Sequence, residues 1–207
     1  MTIVHRRSMG LLPGRLGAYT EVARELQAYH RANGVEYEFQ IPFGNDPGRV
    51  AIASRYETSS AIEKYYRKVM ADPTFQQLAG RSSQHVVAES VNDDFWRIVL
   101  PPPTPATGAL LYARVMGILP GRLGATMAMM KELVEYFGSI GANSFCVVPA
   151  GTGDPMRCAL AGRYTDVATL EALGAKIMGD ARWHELIGRN AVNMVPGSMR
   201  DEMWLTI

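Results

Sequence analysis

Hydrophobic and polar positions follow two different periods along the chain. From Val35 to Ile41 apolar and polar residues alternate one by one, with Glu36, Glu38 and Gln40 on the polar side. This period of two is typical of a strand that buries one face and exposes the other.

The segment before this strand has the longer period of a helix. Its apolar residues recur at helical spacing, at Leu16, Val22, Ala23, Leu26, Tyr29 and His30. Pro13-Gly14 is expected to open this helix and Gly34 to end it, because proline is tolerated in a first turn and glycine at a helix end.

The remaining elements follow the same logic. Ile3–Met9 and Arg49–Tyr56 read as strands, and a Thr58-Ser59-Ser60 cap, with Glu63 three residues after Ser60, opens a second helix that runs to about Ala71. A last strand is expected to begin near Gln84 and to break before Asp93. The order is β-α-β-β-α-β.

The whole pattern then repeats. Residues 9–18 return as residues 116–125 with a single Leu/Ile difference, and matches continue at regular spacing to the last strand of each copy. We therefore predict two domains, residues 1–99 and 109–207, joined by a stiff proline-rich linker over residues 100–108.

Two such units resemble the dimeric α+β barrel superfamily. Within it, Ala71-Asp72-Pro73, the following Phe75–Leu78 segment and the terminal strand look like the NIPSNAP and antibiotic-biosynthesis-monooxygenase-like branches. The resemblance implies an α+β fold in which two tandem ferredoxin-like βαββαβ units pair as an intramolecular pseudo-dimeric α+β barrel. The superfamily hosts unrelated activities, so the resemblance implies a cavity more firmly than a reaction.

Composition narrows the function classes. A formal net charge of +1 gives no field that would recruit nucleic acid, and no apolar run approaches the length of a membrane span. Without a signal-peptide pattern, and with Cys146 and Cys158 in apolar strand-like runs, we expect a cytoplasmic protein with buried free thiols and no zinc site. Association of the chain into homo-oligomers is left open.

The four histidines do not match between the copies. His5, His30 and His85 stand opposite Tyr112, Phe137 and Asn193, and no metal-ligand spacing occurs, so no metal is expected. We predict no cofactor; because superfamily members bind haem, haem is the main alternative. We interpret His30 as a hydrogen-bonded residue at the edge of the core or of a cavity. His85 is expected to open a strand, and two roles stay open for it: a side chain that reaches a pocket, or a purely structural residue.

The shared arginines are candidates for binding an oxyanion. Arg7 and Arg114 alternate onto one strand face with Met9 and Met116, and His5 or Tyr112 lies two residues earlier.

In the third strand, Arg55 and Arg163 share a face with small alanines that could leave room for a ligand. The alternative is that the alanines admit a closely packed helix while each arginine pairs with a carboxylate such as Glu63 or Glu171.

The second copy is the more apolar of the two. Nine of the twelve methionines follow the linker, and Glu38 and Gln40 of the first copy become Phe145 and Val147. Our hypothesis is that the second copy holds the larger apolar pocket. The simpler account is that this strand is covered in one copy and exposed in the other.

These observations favour an enzyme that acts on an apolar, aromatic or polyketide-like small molecule. The expected reaction is a cofactor-independent isomerisation, cyclisation or oxygenation. Arg55 or Arg163 would stabilise an oxyanion, His85 or His30 would move protons, and Arg7, Arg114, His5, Tyr112, Met116, Phe145 and Val147 would contact the substrate. The alternative is a non-catalytic protein that carries a ligand or haem.

Overall fold

The computed structural model describes residues 2–44, 48–151 and 154–207. In the first half the elements are β1 (Ile3–Gly10), α1 (Leu16–Ala32), β2 (Tyr37–Pro42), β3 (Arg49–Tyr56), α2 (Ser59–Met70), α3 (Pro73–Ser83) and β4 (Asn92–Leu100). In the second half they are β5 (Leu110–Gly117), α4 (Leu123–Ser139), β6 (Ser144–Pro149), β7 (Arg157–Tyr164), α5 (Val167–Met178), α6 (Ala181–Asn190), a 3₁₀ turn (Ala191–Asn193) and β8 (Arg200–Thr206).

The chain divides into two compact units, one formed by residues up to Arg97 with Thr206–Ile207 and the other by Ile98–Leu205. The sheet of the first unit has the antiparallel order β4-β1-β3-β2. The sheet of the second has the equivalent order β8-β5-β7-β6. The α+β class and the two tandem ferredoxin-like units predicted from the sequence are confirmed.

The segment between the second helix and the last strand differs from the prediction. The last strand of the first unit begins at Asn92, not near Gln84, and α3 occupies Pro73–Ser83. The Asp72 carboxylate accepts the amide N–H of Thr74 at 2.8 Å, so Asp72-Pro73 is the N-cap and first residue of a new helix. The sequence interpretation had taken this proline only as the end of the preceding helix.

The N-cap of α2 also differs in detail. The Thr58 hydroxyl accepts the amide N–H of Ala61 at 3.1 Å, so Thr58 caps the helix. Glu63 pairs with Arg67 one turn later and does not form a capping box with Ser60.

Each unit packs its long first helix on one face of its sheet. In the first unit Met9, Tyr19, Ala23, Phe39 and Val50 are buried together between β1, α1, β2 and β3. In the second unit the equivalent layer holds Met116, Met129 and Met130. Among the described helices, none combines the length and hydropathy of a membrane span.

Candidate functional site

A cavity of about 390 Å³ lies in the first unit, between its sheet and its helices. Its principal lining residues come from strands β1, β2 and β3 (His5, Arg7, Met9, Tyr37, Ile52, Ser54 and Tyr56) and from helices α1, α2 and α3 (Tyr19, Leu26, His30, Tyr65, Tyr66, Val69, Phe75 and Ala79). Five of the nine tyrosines of the chain line this one space. It is large enough for a flat aromatic molecule of drug-like size.

Strand alternation places the polar groups of the floor. Because successive side chains point to opposite faces, His5, Arg7 and Met9 all face the cavity from β1. His5 lies opposite Ser54 in β3, and Ser54 lies opposite Tyr37 in β2, so these three side chains form one row across the sheet.

A hydrogen-bonded chain of side chains forms one wall. His5 Nε2 lies 2.7 Å from Asp93 Oδ1, and the Tyr66 hydroxyl lies 3.0 Å from His5 Nδ1. Because the Asp93 carboxylate can only accept, His5 donates its Nε2–H to Asp93 and accepts the Tyr66 O–H at Nδ1. The imidazole also stacks on Phe95, with ring centroids 4.7 Å apart, so its orientation is fixed.

Arg7 completes this network from the next position on β1. It donates to both Asp93 oxygens at 2.8 Å, the bidentate geometry that suits guanidinium and carboxylate. Burial by itself raises the pKa of Asp93, but the hydrogen bonds from His5 and Arg7 outweigh it and hold that pKa well below the usual range. The pair Arg7–Asp93 is therefore ionised at neutral pH.

A second histidine–tyrosine pair lies where α1 meets α2. His30 is 7% exposed, its Nδ1 is hydrogen-bonded to the Tyr65 hydroxyl, and its ring stacks on Tyr37 with centroids 4.3 Å apart. Burial lowers the pKa of His30 to about 4. His30 is therefore neutral at pH 7, and the neighbouring residues Tyr65 and Tyr66 of α2 each bind one histidine.

The cavity tyrosines keep their protons. Burial raises the pKa of Tyr66 to about 12 and the pKa values of Tyr37, Tyr56 and Tyr65 above their ordinary value. The Tyr19 hydroxyl is directed at the sulfur of Met9, 3.2 Å away. The site thus presents phenol hydroxyls, not phenolates, to a guest.

Comparison with solved structures matches the whole chain. A candidate monooxygenase of Fusobacterium nucleatum superposes with a TM-score of 0.73 at 10% identity, over 99% of this chain and 92% of that one. An anthrone oxidase-like protein superposes with a TM-score of 0.68 at 10% identity, over 100% and 91%. A Listeria monocytogenes ferredoxin-fold protein related to antibiotic biosynthesis monooxygenases superposes with a TM-score of 0.52 at 5% identity, over 100% and 95%.

The chain has the dimeric α+β barrel fold. At these identities the likeness concerns the fold alone. No protein-family model matches the chain, and no curated protein matches it by sequence. The resemblance to the antibiotic-biosynthesis-monooxygenase-like branch is confirmed at the level of the fold.

Within this α+β barrel chain, three of the residues singled out from the sequence meet at the cavity, namely His5, Arg7 and His30. His85 is not among its lining residues. It lies in the turn after α3, where its backbone carbonyl accepts the amide N–H of Leu12 at 2.9 Å. The expectation that His85 opens a strand is wrong because α3 and this turn occupy the region.

The strand-three arginines lie on the other face of their sheets. Ile52, Ser54 and Tyr56 face the cavity, so Arg55 points away from it and donates to Glu36 and Glu38 at 3.2 and 3.3 Å. Its carboxylate partners are Glu38 of the adjacent strand β2 and Glu36 just before that strand, not Glu63 as the alternative supposed.

Arg163 lies at the equivalent position of β7 and donates to the carbonyl oxygen of Gly108 at 3.2 Å. An oxyanion role for Arg55 in this cavity does not hold.

Replacing Arg55 by methionine therefore gives an expected outcome that separates the two faces. Binding of a guest to the cavity should change by less than about twofold, and the free energy of unfolding should fall by at most about 1 kcal/mol, as for exposed ion pairs. Fluorescence titration and urea unfolding of R55M test this. If R55M binds the guest more than tenfold more weakly than the wild type, Arg55 contributes to the site after all.

The second unit has an open groove of about 450 Å³ at Leu100, Pro101, Pro103 and Val134, but the methionines expected to line its pocket lie in the core instead. Met129 is 3% exposed and Met130 fully buried, and both fill the core beneath α4 with Met116. Phe145 and Val147 flank Cys146, which belongs to that core, so they point to the opposite sheet face.

The equivalent positions of the second unit have lost the cavity's polar lining. Tyr19, His30, Tyr37, Tyr65 and Tyr66 correspond to Thr126, Phe137, Ser144, Leu173 and Gly174. The ion pair is retained, with Arg114 donating to both oxygens of Asp201 at 2.7 Å beside Tyr112, and Tyr164 stands at the position of Tyr56. The candidate site belongs to the first unit.

Sequence reasoning missed Asp93 and the tyrosines of α2. The signal for Asp93 was present, since each copy has an arginine in its first strand and an aspartate in its last, at Arg7 and Asp93 and at Arg114 and Asp201. Tyr65 and Tyr66 were hidden because their equivalents, Leu173 and Gly174, are not tyrosines.

Of the two cavity histidines, His5 does not suit an axial haem ligand in this arrangement. His5 has a hydrogen-bonded partner at each ring nitrogen, and His30 has Tyr65 at Nδ1 and Tyr37 against its face. A bond from His5 to a haem iron would break one of these hydrogen bonds, whereas the Tyr65 hydrogen bond engages only Nδ1 of His30. Haem stays the alternative to a cofactor-free site. Over the described parts of the chain, no three His, Cys, Asp or Glu side chains converge as metal ligands would.

Proposed function

We propose that the first unit is an oxygenase that acts, without a bound cofactor, on a flat phenolic aromatic molecule of the anthrone type. The observation that carries this proposal is the Tyr66–His5–Asp93 chain in the wall of a largely apolar cavity. It supplies a base that is fixed in position beside a mostly apolar space.

His5 is the proton acceptor in this proposal. Asp93 holds the Nε2–H, so Nδ1 is the basic atom, and the Tyr66 hydroxyl carries the substrate proton to it. The imidazolium that forms is stabilised by the Asp93 carboxylate 2.7 Å away. Asp93 is thus a positioning residue, and Arg7 keeps it ionised.

Protonated tyrosines stabilise the charge that develops on the substrate. Removing a proton from the methylene carbon of an anthrone leaves an enolate whose negative charge lies largely on the former carbonyl oxygen. Tyr37 and Tyr56 both face the cavity, and burial raises their pKa values, so they remain donors while the substrate becomes an anion.

The reaction balances with molecular oxygen as the only oxidant. The enolate carbon gives its electrons to O₂ and forms a carbon–oxygen bond, and the returning proton completes a hydroperoxide. Loss of water then breaks the O–O bond and leaves a ketone. In sum, an anthrone and one O₂ give an anthraquinone and one water.

The names of two structural neighbours support this choice of chemistry. One is an anthrone oxidase-like protein and another a candidate monooxygenase, and both share the fold over nearly the whole chain. The names belong to those proteins; for this chain they favour oxygenation over isomerisation or cyclisation.

The test is oxygen uptake with 1,8-dihydroxyanthrone as substrate, in the presence of a metal chelator. We expect the protein to accelerate uptake above the buffer rate and to form one 1,8-dihydroxyanthraquinone per O₂. Tyr66→Phe should lower kcat about a hundredfold, the lower end of the range for a proton-transfer group. Tyr29→Phe is the control, because its hydroxyl bonds Asp72 at 2.6 Å and does not line the cavity.

Two outcomes would reject this proposal. If the quinone binds but uptake is not accelerated, the protein is a carrier, as the alternative reading holds. If Tyr66→Phe and Tyr29→Phe lower the rate equally, the His5 chain is not the proton path.

A further inference from the structure

One cavity residue has a backbone conformation that its side chain disfavours. Glu89 has φ +63°, and it is the one non-glycine residue with positive φ in the described part of the chain. This left-handed region suits glycine, because a Cβ atom crowds the following carbonyl oxygen.

The second unit shows what the same turn looks like without this cost. The turn Val87–Ser90 closes with the Ser90 amide donating to the Val87 carbonyl at 3.2 Å, and the turn Val195–Ser198 closes likewise at 3.1 Å. In the second turn the residue equivalent to Glu89 is Gly197, with φ +73°, preceded by Pro196. Pro-Gly is the favoured pair for a turn with positive φ at its third position.

The hydrogen bonds that hold the two turns are the same. The hydroxyls of Ser90 and Ser198 accept the amide N–H of Gly10 and Gly117 at 3.0 and 2.9 Å. The frame of the turn therefore does not require a glutamate. Residues that keep such a conformation against their preference cluster at sites of function.

The position of Glu89 indicates a function at the entrance of the cavity. Glu89 is exposed and also lines the cavity, so it lies at the cavity rim, beside Val87 and Val91. Histidines aside, Arg7 and Glu89 are the two lining residues of this cavity with charged side chains. Arg7 is neutralised by Asp93, and no ion pair of Glu89 occurs among the described residues, so the rim carries an uncompensated negative charge.

We propose that Glu89 is the residue that determines which guests enter the cavity. Its carboxylate excludes anionic aromatic molecules and admits neutral or cationic ones. This inference rests on the proposed function for its cavity and narrows the substrate class to phenols without a free acid group. The left-handed backbone at Glu89 is the stability cost of holding that charge at the rim.

The experiment uses two dyes that share one ring system and differ in charge. N-phenyl-1-naphthylamine is neutral, and 8-anilinonaphthalene-1-sulfonate carries a sulfonate. Their dissociation constants are measured by fluorescence at low salt for the wild type, for Glu89→Gln and for Glu89→Gly. The matched control is Gly197→Glu, which places the same residue in the same turn of the unit without this cavity; a Cβ there meets nothing within 4 Å.

We expect both Glu89 variants to reduce the preference for the neutral dye about fivefold to tenfold, the size of one like-charge repulsion near a protein surface. Glu89→Gly should also raise Tm by about 2–4 °C, whereas Glu89→Gln should not, because only glycine relieves the strain. Gly197→Glu should lower Tm by a similar amount and leave the dye preference unchanged.

The proposal is overturned if the preference does not change in the Glu89 variants, if it changes as much in Gly197→Glu, or if neither dye binds the wild type. The dyes are not oxidised, so this result is independent of oxygen uptake. A protein that fails the oxygenase test and passes this one would still have a charge-selective cavity, and the reverse result would leave an oxygenase without this filter.

Discussion

Replacing Asp93 by asparagine is expected to lower kcat for 1,8-dihydroxyanthrone oxidation by about 10²- to 10³-fold, with little change in binding. Asparagine fills the same space, but it no longer stabilises an imidazolium at His5, and it can present an N–H where the ring needs an acceptor. A loss confined to kcat identifies Asp93 as a positioning residue. The split between kcat and KM, measured by oxygen uptake, and the affinity for N-phenyl-1-naphthylamine give the two readouts.

Asp201→Asn is the matched control for this variant. Asp201 receives the same two hydrogen bonds from Arg114, at 2.7 Å, but it lies in the unit that lacks the polar cavity lining. Both variants should lose about 1–2 kcal/mol of unfolding free energy, since each leaves an arginine without its carboxylate at a half-exposed site. Only Asp93→Asn should lose activity. An equal loss of activity in Asp201→Asn would mean that the ion pairs serve stability alone.

The second large effect is a loss of stability in mild acid that depends on His30. Its pKa is about 4 in the folded protein and about 6.5 in an unfolded chain, so the unfolded state binds the proton more tightly. The stabilisation is complete above pH 6.5 and is lost as the pH falls from 6.5 to 4. Because His30 is only 7% exposed, we expect a loss of about 3 kcal/mol over that range.

His30→Phe should flatten this part of the pH profile. Phenylalanine is the residue at the equivalent position of the second unit, Phe137, where the helix packs normally. Urea unfolding at several pH values between 7.5 and 4 measures the difference. If the wild type and the variant lose stability in parallel, His30 is not the responsible group.

The pH window separates His30 from Asp93. The depressed pKa of Asp93 also stabilises the folded state, but that contribution is present above the unfolded value of about 4 and disappears only in stronger acid. The part of the loss between pH 6.5 and 4 that is absent in His30→Phe therefore reports on His30.

The sequence predicted the part of the site that depends on strand alternation within one element. His5, Arg7 and Met9 were assigned to one face of β1, and they line the cavity together. Alternation could not say which face of β3 the helices cover. Ala51, Ala53 and Arg55 on one face and Ile52, Ser54 and Tyr56 on the other are both compatible with burial, and the sequence interpretation chose the wrong face.

The composition of a core also misled the prediction of the pocket. Methionines on α4 suggested an adaptable cavity, yet flexible side chains fill volume as readily as they line it. The open space formed instead where rigid rings of tyrosine and histidine bind each other and hold their positions.

The duplication, the α+β class and the sets of residues that share one strand face follow from the sequence, because hydrophobic period and repeated turns are local properties of the chain. Only the tertiary structure decided the pairing of Asp93 with His5 and Arg7, 88 and 86 residues away along the chain, and the meeting of Tyr65 with His30. Such contacts depend on strand register and helix packing, which join residues that no local pattern connects.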